Sequence, residues 1–310
     1  MADYITIDGG TTNTRIALVS GHRIVDVLKF PVGAQKSIGN QALLRTTIRD
    51  GIAILLTRTG RQPGDIVRIL ASGMITSEFG LLELPHIAAP AGLRELHDAM
   101  YETTLPDISP IPFVFIRGVV TGGSDYADTD MMRGEETELM GLQHDGAGVY
   151  VLPGSHSKIV QTDEHGRITS FRTMLTGEMI AALSAHTILK DAVVLNAQPA
   201  DRDFLLEGFR YAREHGLNDA LFKVRILKNR MRRTPAEVTG FYLGAVLCDE
   251  ICCILNQHPA QIILAGKKEL REPMQTLLEV HVPGIVVSVP DDIAGCASAL
   301  GAVRIFEYQP

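Results

Sequence analysis

One pattern occurs twice in these 310 residues and limits what the chain can fold into. Tyr4-Ile5-Thr6-Ile7 is a short strand-forming run that leads into the turn Asp8-Gly9-Gly10-Thr11-Thr12-Asn13. Thr14 to Val19 predicts a second strand, and Arg23 to Phe30 a third after Ser20-Gly21-His22. Glycine and asparagine bounding β-branched runs are hairpin signals. From Gly148 the same order returns. Val149-Tyr150-Val151-Leu152 ends in Pro153-Gly154-Ser155-His156-Ser157, followed by strand-like runs at Lys158 to Thr162 and Arg167 to Arg172. Identity between the two stretches is slight, but the order of elements is the same. It predicts an α/β chain of two similar halves, with the turns at Gly10 and Gly154 in equivalent places.

The intervening elements fit that plan. Leu43, Leu44, Thr47, Ile48, Gly51, Ile52 and Leu55 recur with helical spacing. Ile66 to Ala71 and Phe113 to Ile116 are short apolar runs of the kind found in buried parallel strands. Further helices are expected from near Thr176 and over 201–215 and 234–256. A strand over Gln261 to Ala265, Gly266, a helix and a strand at Ile285 to Val289 follow, with a small-residue helix from about Ala294 to the end.

Composition excludes several classes. Hydrophobic residues make up 45% and charged residues 21%, values of a folded chain rather than a disordered one. A net charge of −7 argues against a dedicated nucleic-acid binder. The one basic run, Lys223 to Arg233, is interleaved with aliphatic residues and reads as a solvated helix or a subunit contact, which leaves room for a homodimer. No stretch is read as a membrane span, and the N-terminus carries no basic and apolar leader pattern. Cys248, Cys252 and Cys253 fall on one helix and Cys296 on another, without a CxxC pair or a disulfide framework, so a reduced cytoplasmic protein is expected.

A glycine followed by serine or threonine in a tight hairpin lets backbone N–H groups and hydroxyls converge on an anion. Each turn taken singly is equally readable as a plain hairpin. Two of them, facing each other across a cleft, with Asp8 at a strand end to hold a phosphate-bound Mg²⁺ directly or through water, favour a nucleotide. Asn13 and Arg15 add donors. Other phosphate and hydrolase signatures are missing: there is no GxxxxGK[ST], no GxGxxG, no GxSxG around His156, and no HExxH or Cys/His ligand spacing. The segment Asp130 to Leu139 reads as a charged helix start. It serves either as ordinary capping or as a carboxylate base for a hydroxyl, with Arg133 for an acidic group.

Several segments together resemble a known family. Asp8 to Arg15 resembles the first phosphate motif of the sugar-kinase/Hsp70/actin superfamily, and Leu152 to Lys158 the second. Leu264-Ala265-Gly266 is similar to its adenosine motif, and the helix from Gly295 to Gly301 to its second connecting helix. More closely, MRGEETELMG (132–141), VYVLPGSHSKIVQ (149–161), FRTMLTGEM (171–179) and SGMITSEFGL (72–81) resemble the 2-dehydro-3-deoxygalactonokinase family. Gly9 stands where that family commonly has Trp, and Lys267-Lys268 replaces a less charged segment.

The resemblance implies two ribonuclease-H-like lobes of the actin-like ATPase fold with a nucleotide cleft between them. They would span 1–140 with the helix 295–310, and 141–294. It implies ATP-dependent phosphorylation of 2-dehydro-3-deoxy-galactonate at its 6-hydroxyl, with Mg²⁺, and a place in galactonate breakdown. The ATP phosphates would lie against Asp8, Gly10, Thr11, Thr12, Asn13, Arg15, Gly154, Ser155, His156, Lys158 and Gly266, with Asp8 at the metal. The base would be Glu136, then Glu135, then Asp130. Arg133 and Arg117 are the candidates for the substrate carboxylate, and Gly33, Ala34, Ser72, Gly73, Met74, Gly177 and Glu178 would line the pocket. The alternatives are a kinase for another keto-deoxy acid, a phosphatase or ATPase in which water replaces the sugar, and a non-catalytic sugar sensor. The absence of an N-terminal helix-turn-helix counts against a sensor.

Overall fold

A computed structural model describes residues 2–38, 40–142, 146–195 and 199–309. The chain divides into two compact units, the first formed by 1–146, 162–171 and 292–310, the second by 147–161 and 172–291.

The first unit starts with β1 (Asp3–Gly9), β2 (Thr14–Ser20) and β3 (Arg23–Phe30), followed by α1 (Ala34–Ser37), α2 (Gln41–Thr59) and β4 (Ile66–Gly73). Then come β5 (Ile87–Ala88), α3 (Leu93–Asp98), β6 (Tyr101–Leu105), β7 (Ser109–Phe115), β8 (Val119–Thr121), β9 (Asp130–Met132) and α4 (Glu135–Leu142). Its main sheet has the order β3-β2-β1-β4-β7-β6. β1 pairs antiparallel with β2 and parallel with β4, and β4 runs parallel to β7. Ile5, Ile7, Ile16, Leu18, Ile69 and Phe113 are buried in the core beneath α2. Each such side chain contributes roughly 1.5–3 kcal/mol by leaving water. β3, by contrast, alternates exposed and half-buried residues along its length, as an edge strand does.

The second unit repeats the plan with β10 (Gly148–Leu152), β11 (Ser157–Thr162) and β12 (Ile168–Met174), although 162–171 group with the first unit. The helices α5 (Thr176–His186), α6 (Arg202–His215), α7 (Leu217–Asn229) and α8 (Pro235–Leu255) follow, then β13 (Ile262–Leu264), α9 (Lys268–His281) and β14 (Val286–Ser288). Its sheet has the order β12-β11-β10-β13-β14, with β13 parallel to β10 and to β14. In both sheets the strand after the hairpin region adds parallel to the first strand. The last helix, α10 (Asp291–Phe306), belongs largely to the first unit. It packs on α4 so closely that a side chain on Gly141 would lie 1.9 Å from the Ala297 carbonyl oxygen, and one on Gly301 1.9 Å from that of Thr137.

The strands expected from the two repeated stretches are present, as are the helices from near Thr176 and over 201–215 and 234–256. Two readings need correction. Asp130 lies not at a helix start but on β9, paired with Thr121 of β8. A strand of three residues is too short to show its period in the sequence. Second, one helix does reach the length and hydropathy of a membrane span: α8 has 21 residues and a mean hydropathy of 1.7 over its most apolar stretch. That stretch is 78% buried inside the protein, where Val238, Tyr242, Leu247 and Ile251 form the second unit's core. The helix itself is expected over 234–256; its hydropathy escapes a search for one unbroken apolar run because Glu237, Asp249 and Glu250 interrupt it.

Candidate functional site

Both glycine turns are held in the same way. In the first unit the Gly10 and Thr11 carbonyls accept hydrogen bonds from Ala34 N (3.1 Å) and Gln35 N (2.9 Å). The approach is so close that a Cβ on Gly33 would lie 2.5 Å from Gly10 O and 2.6 Å from Thr11 C. In the second unit the Ser155 carbonyl accepts from Glu178 N at 3.2 Å, and a Cβ on Gly177 would lie 2.2 Å from Gly154 O. The sequence distance from turn glycine to seating glycine is the same in both units. With these carbonyls tied to their seats, fewer acceptors are left on the turns to repel an anion.

A second glycine closes each turn from the strand next door. Gly73 ends β4 and Gly266 follows β13, each with φ of +82°, a conformation that side chains other than glycine's rarely adopt. A Cβ would lie 2.5 Å from Gly9 O in one case and 2.6 Å from Pro153 O in the other. Gly73 and Gly266 thus occupy one structural position twice, as do Gly33 and Gly177. Gly9 is also constrained: a Cβ there would lie 2.9 Å from Ile75 Cβ, so a larger residue needs a different turn at Met74–Thr76.

The N–H groups of the turn glycines are already used. Gly10 N donates to Asn13 O at 2.8 Å and Gly154 N to Ser157 Oγ at 3.4 Å. The donors each turn offers are therefore those of the residues after the glycine. Thr11 and Thr12 are exposed, Asn13 is half-buried and bonds Thr12 Oγ1 at 2.8 Å. Ser155 is exposed, and His156 Nε2 lies 3.1 Å from Glu178 Oε1. Lys158 is buried and donates to Thr173 Oγ1 at 2.6 Å, so its ammonium group is spent inside the unit.

Around the end of β1 the first unit gathers carboxylates. Asp8 pairs with Arg15 at 3.7 Å, and its carboxyl is raised above the ordinary range by burial, partly offset by Arg15, with Glu135 raising it further. Glu138, on the first turn of α4, is pushed up to about 8 by burial and then by Asp8 and Glu135. A cavity of about 50 Å³ borders Asp8, Arg15, Ser72, Cys296 and Ser298, with room for water. Glu138 has no special place in the sequence pattern; only the packing of α4 reveals it beside Asp8.

The three expected bases stand in different settings. Glu136 is wholly buried and both its oxygens accept from Gly134 N, at 2.9 and 2.7 Å, while Thr137 Oγ1 donates to one of them. That geometry turns both oxygens onto the start of α4. Burial, then Glu135, pushes its carboxyl up to about 8 against those hydrogen bonds. Asp130 accepts from Met131 N at 2.7 Å on β9. Glu135 is half-buried, with one oxygen accepting from Arg133 N at 3.0 Å.

Arg133 is also internal in its duties. Its guanidinium donates to Thr76 O (2.6 Å), Thr76 Oγ1 (2.7 Å) and Leu84 O (3.2 Å), which fixes the 74–86 loop. Arg117 differs. It follows β7 at the carboxyl end of the parallel strands, where α/β sheets bind ligands, and its buried Nε has no hydrogen-bond partner among the described residues.

The buried acids set a pH dependence of stability. Glu136 and Glu138 hold their protons to about pH 8 when folded, whereas an unfolded glutamate ionises near pH 4.3. Between those values the folded chain binds more protons, so stability falls as pH rises, and the fall levels off above about 8. Glu136→Gln removes one of these groups. In urea titrations from pH 5 to 8.5 the variant is expected to gain on the parent as pH rises; a difference that shrinks with pH would contradict this.

Comparisons with known proteins concern the family and the fold. A sequence model of the family described as 2-keto-3-deoxy-galactonokinase matches residues 8–297. The chain is 27% identical to the 2-dehydro-3-deoxygalactonokinase of Escherichia coli (strain K12), over 84% of this chain and 85% of that one. A solved structure from Sinorhizobium meliloti, of a protein assigned as a 2-dehydro-3-deoxygalactonokinase, aligns with a TM-score of 0.80 at 24% identity, covering 99% and 98% of the two chains. The activator of 2-hydroxyisocaproyl-CoA dehydratase from Clostridium difficile, solved with bound ADPNP, aligns with a TM-score of 0.53 at 12% identity, over 97% and 93%. The fold is that of the actin-like ATPases and sugar kinases.

Proposed function

Because the chain belongs to the 2-keto-3-deoxy-galactonokinase family, and so is a sugar acid phosphotransferase, we propose that it transfers the γ-phosphoryl group of ATP to the 6-hydroxyl of 2-dehydro-3-deoxy-galactonate. The observation that carries this reading is the twice-built turn: two loops with their carbonyls tied back by Ala34, Gln35 and Glu178 and their outward donors left for phosphoryl oxygens. The ADPNP-bound relative of the same fold supports a nucleotide as the source of those oxygens.

In this reading Thr11, Thr12, Asn13, Ser155 and His156 bind the phosphates. Gly10, Gly33, Gly154 and Gly177 shape the two loops. Gly73 and Gly266 let the neighbouring strands close on them, and Ser72, Met74, Ala34 and Glu178 flank them. Arg15 keeps Asp8 in place. The acceptor hydroxyl attacks the γ-phosphorus, the bond from that phosphorus to the bridging oxygen breaks, and ADP leaves with the electron pair. The hydroxyl proton goes to the Glu135 carboxylate, the half-buried member of the acidic group, with Glu136 holding the helix start that carries it. Arg117 receives the substrate carboxylate, because a guanidinium binds a carboxylate through two parallel donors.

The donor set also fits Mg²⁺. Asp8 and Glu138 are hard oxygen donors, both raised above the ordinary carboxyl range first by burial and further by the neighbouring Glu135 carboxylate. Among the described residues no three ligating side chains are close enough to enclose an ion. Mg²⁺ keeps several waters and takes one or two carboxylates plus substrate phosphates. Bound there, the ion would neutralise charge on the phosphate oxygens. The reading places the enzyme in the cytoplasm, in galactonate breakdown.

The test is an ADP-release assay with Mg-ATP and the keto-deoxy acids derived from galactonate, gluconate and arabinonate. The galactonate-derived acid is expected to give the highest kcat/KM, and Arg117→Met to raise its KM by about tenfold or more with the KM for ATP little changed. ADP release at the same rate without any sugar acid would favour a hydrolase instead.

A further inference from the structure

A carboxyl group outside the loops ties the second turn to its seat. Glu250 lies in α8, 2% exposed, on a helix that otherwise presents apolar residues to the core. Its Oε2 accepts a hydrogen bond from Thr176 Oγ1, at the first residue of α5, and the Ser157 hydroxyl, at the first residue of β11, also bonds to the carboxyl. Its Oε1 is buried with no hydrogen-bond partner among the described residues. Burial pushes this carboxyl up to about 7. Placing such a group among apolar side chains costs stability, and an aliphatic residue would pack there at lower cost.

What the carboxyl touches explains its presence. Ser157 Oγ accepts the Gly154 N–H of the turn. Thr176 immediately precedes Gly177 and Glu178, which seat the turn from the other side. One buried group therefore spans the turn and its seat. In the first unit the corresponding link is direct: Thr14 Oγ1, at the start of β2, donates to the carbonyl of Val32, the residue before Gly33, at 2.7 Å. In the second unit the equivalent hydroxyl, Ser157, and the equivalent seat residue, Thr176, meet at the Glu250 carboxyl.

We propose that Glu250 is a positioning residue for nucleotide binding, which by accepting from both Ser157 and Thr176 fixes the turn on its seat and holds the donors of Ser155 and His156 ready for phosphoryl oxygens. The inference rests on the reading of that turn as a phosphate site. Glu250→Leu is expected to raise the KM for ATP by about tenfold or more while the KM for the sugar acid stays within about twofold. Its Tm should match or exceed the parent's, because replacing a buried carboxyl by an apolar group of similar volume is often neutral or stabilising. Glu250→Gln keeps an accepting oxygen and should hold the KM for ATP within about threefold.

Thr176→Val cuts one arm of the link without touching α8 and should shift the same constant, so the proposal stays testable if the leucine variant misfolds. A leucine variant whose KM for ATP stays near the parent's, both KM values moving together, or a glutamine variant as impaired as the leucine one would each overturn it. Direct titration of the unsubstituted protein with Mg-ATP separates the two ideas. No binding there means the phosphate reading itself has failed; binding and turnover matched by Glu250→Leu means only the role of Glu250 falls.

Discussion

Glu135→Gln is expected to lower kcat by about 10²–10⁴ while nucleotide affinity stays within about threefold. An amide in that place keeps the size and the hydrogen bond from Arg133 N but cannot take a proton from the acceptor hydroxyl. The neighbouring Glu136→Gln is expected to cost less than about fivefold, because that carboxyl is wholly buried and turned onto Gly134 N. The pair of variants, assayed together with and without sugar acid, distinguishes the two carboxylates that the sequence places side by side. A large loss at Glu136 with a small one at Glu135 would reverse the assignment.

The second large effect is expected at the seats. Gly177→Ala would drive a methyl group to 2.2 Å from Gly154 O, and Gly33→Ala one to 2.5 Å from Gly10 O. These neighbours are backbone, which cannot swing aside as a side chain could. The turn must lift from its seat, so kcat/KM for ATP should fall by about a hundredfold or more at either position. Overpacking of this kind costs roughly 1–3 kcal/mol, which for a chain of this size lowers Tm by roughly 2–4 °C per kcal/mol. Gly64→Ala meets nothing within 4 Å and serves as the control, expected to be silent in both readouts. If the seat variants keep their affinity for ATP, the turns do not bind it in the way described.

Much of this was legible in the sequence because the relevant signals are local. β-branched runs ending in glycine announced β1, β2, β10 and β11, and the matching order of Gly10 and Gly154 announced the repeat. Gly33, Gly73 and Gly177 read as pocket-lining residues and Gly266 as part of the nucleotide site, but in the fold each is set by a backbone from another element coming within 3 Å. No spacing rule contains that distance. The choice between Glu135 and Glu136 was open for a similar reason: adjacent in sequence, they differ in burial only once the chain is folded, Glu136 wholly buried and Glu135 half-buried. Arg133 offered the right charge for a substrate acid, yet the fold uses it to hold Thr76 and Leu84. Glu250 left no trace at all, since an acid within an apolar helix reads as an ordinary interruption until Ser157 and Thr176 are seen beside it.

Amide hydrogen exchange, followed peptide by peptide with and without Mg²⁺ and a non-hydrolysable ATP analogue, tests the paired turns most directly. Slower exchange is expected over 10–15 and over 153–158 together, with Gly177→Ala abolishing the effect in the second segment. Unchanged exchange in both segments, under conditions where the analogue is shown to bind, would contradict the assignment of these loops as the phosphate seats.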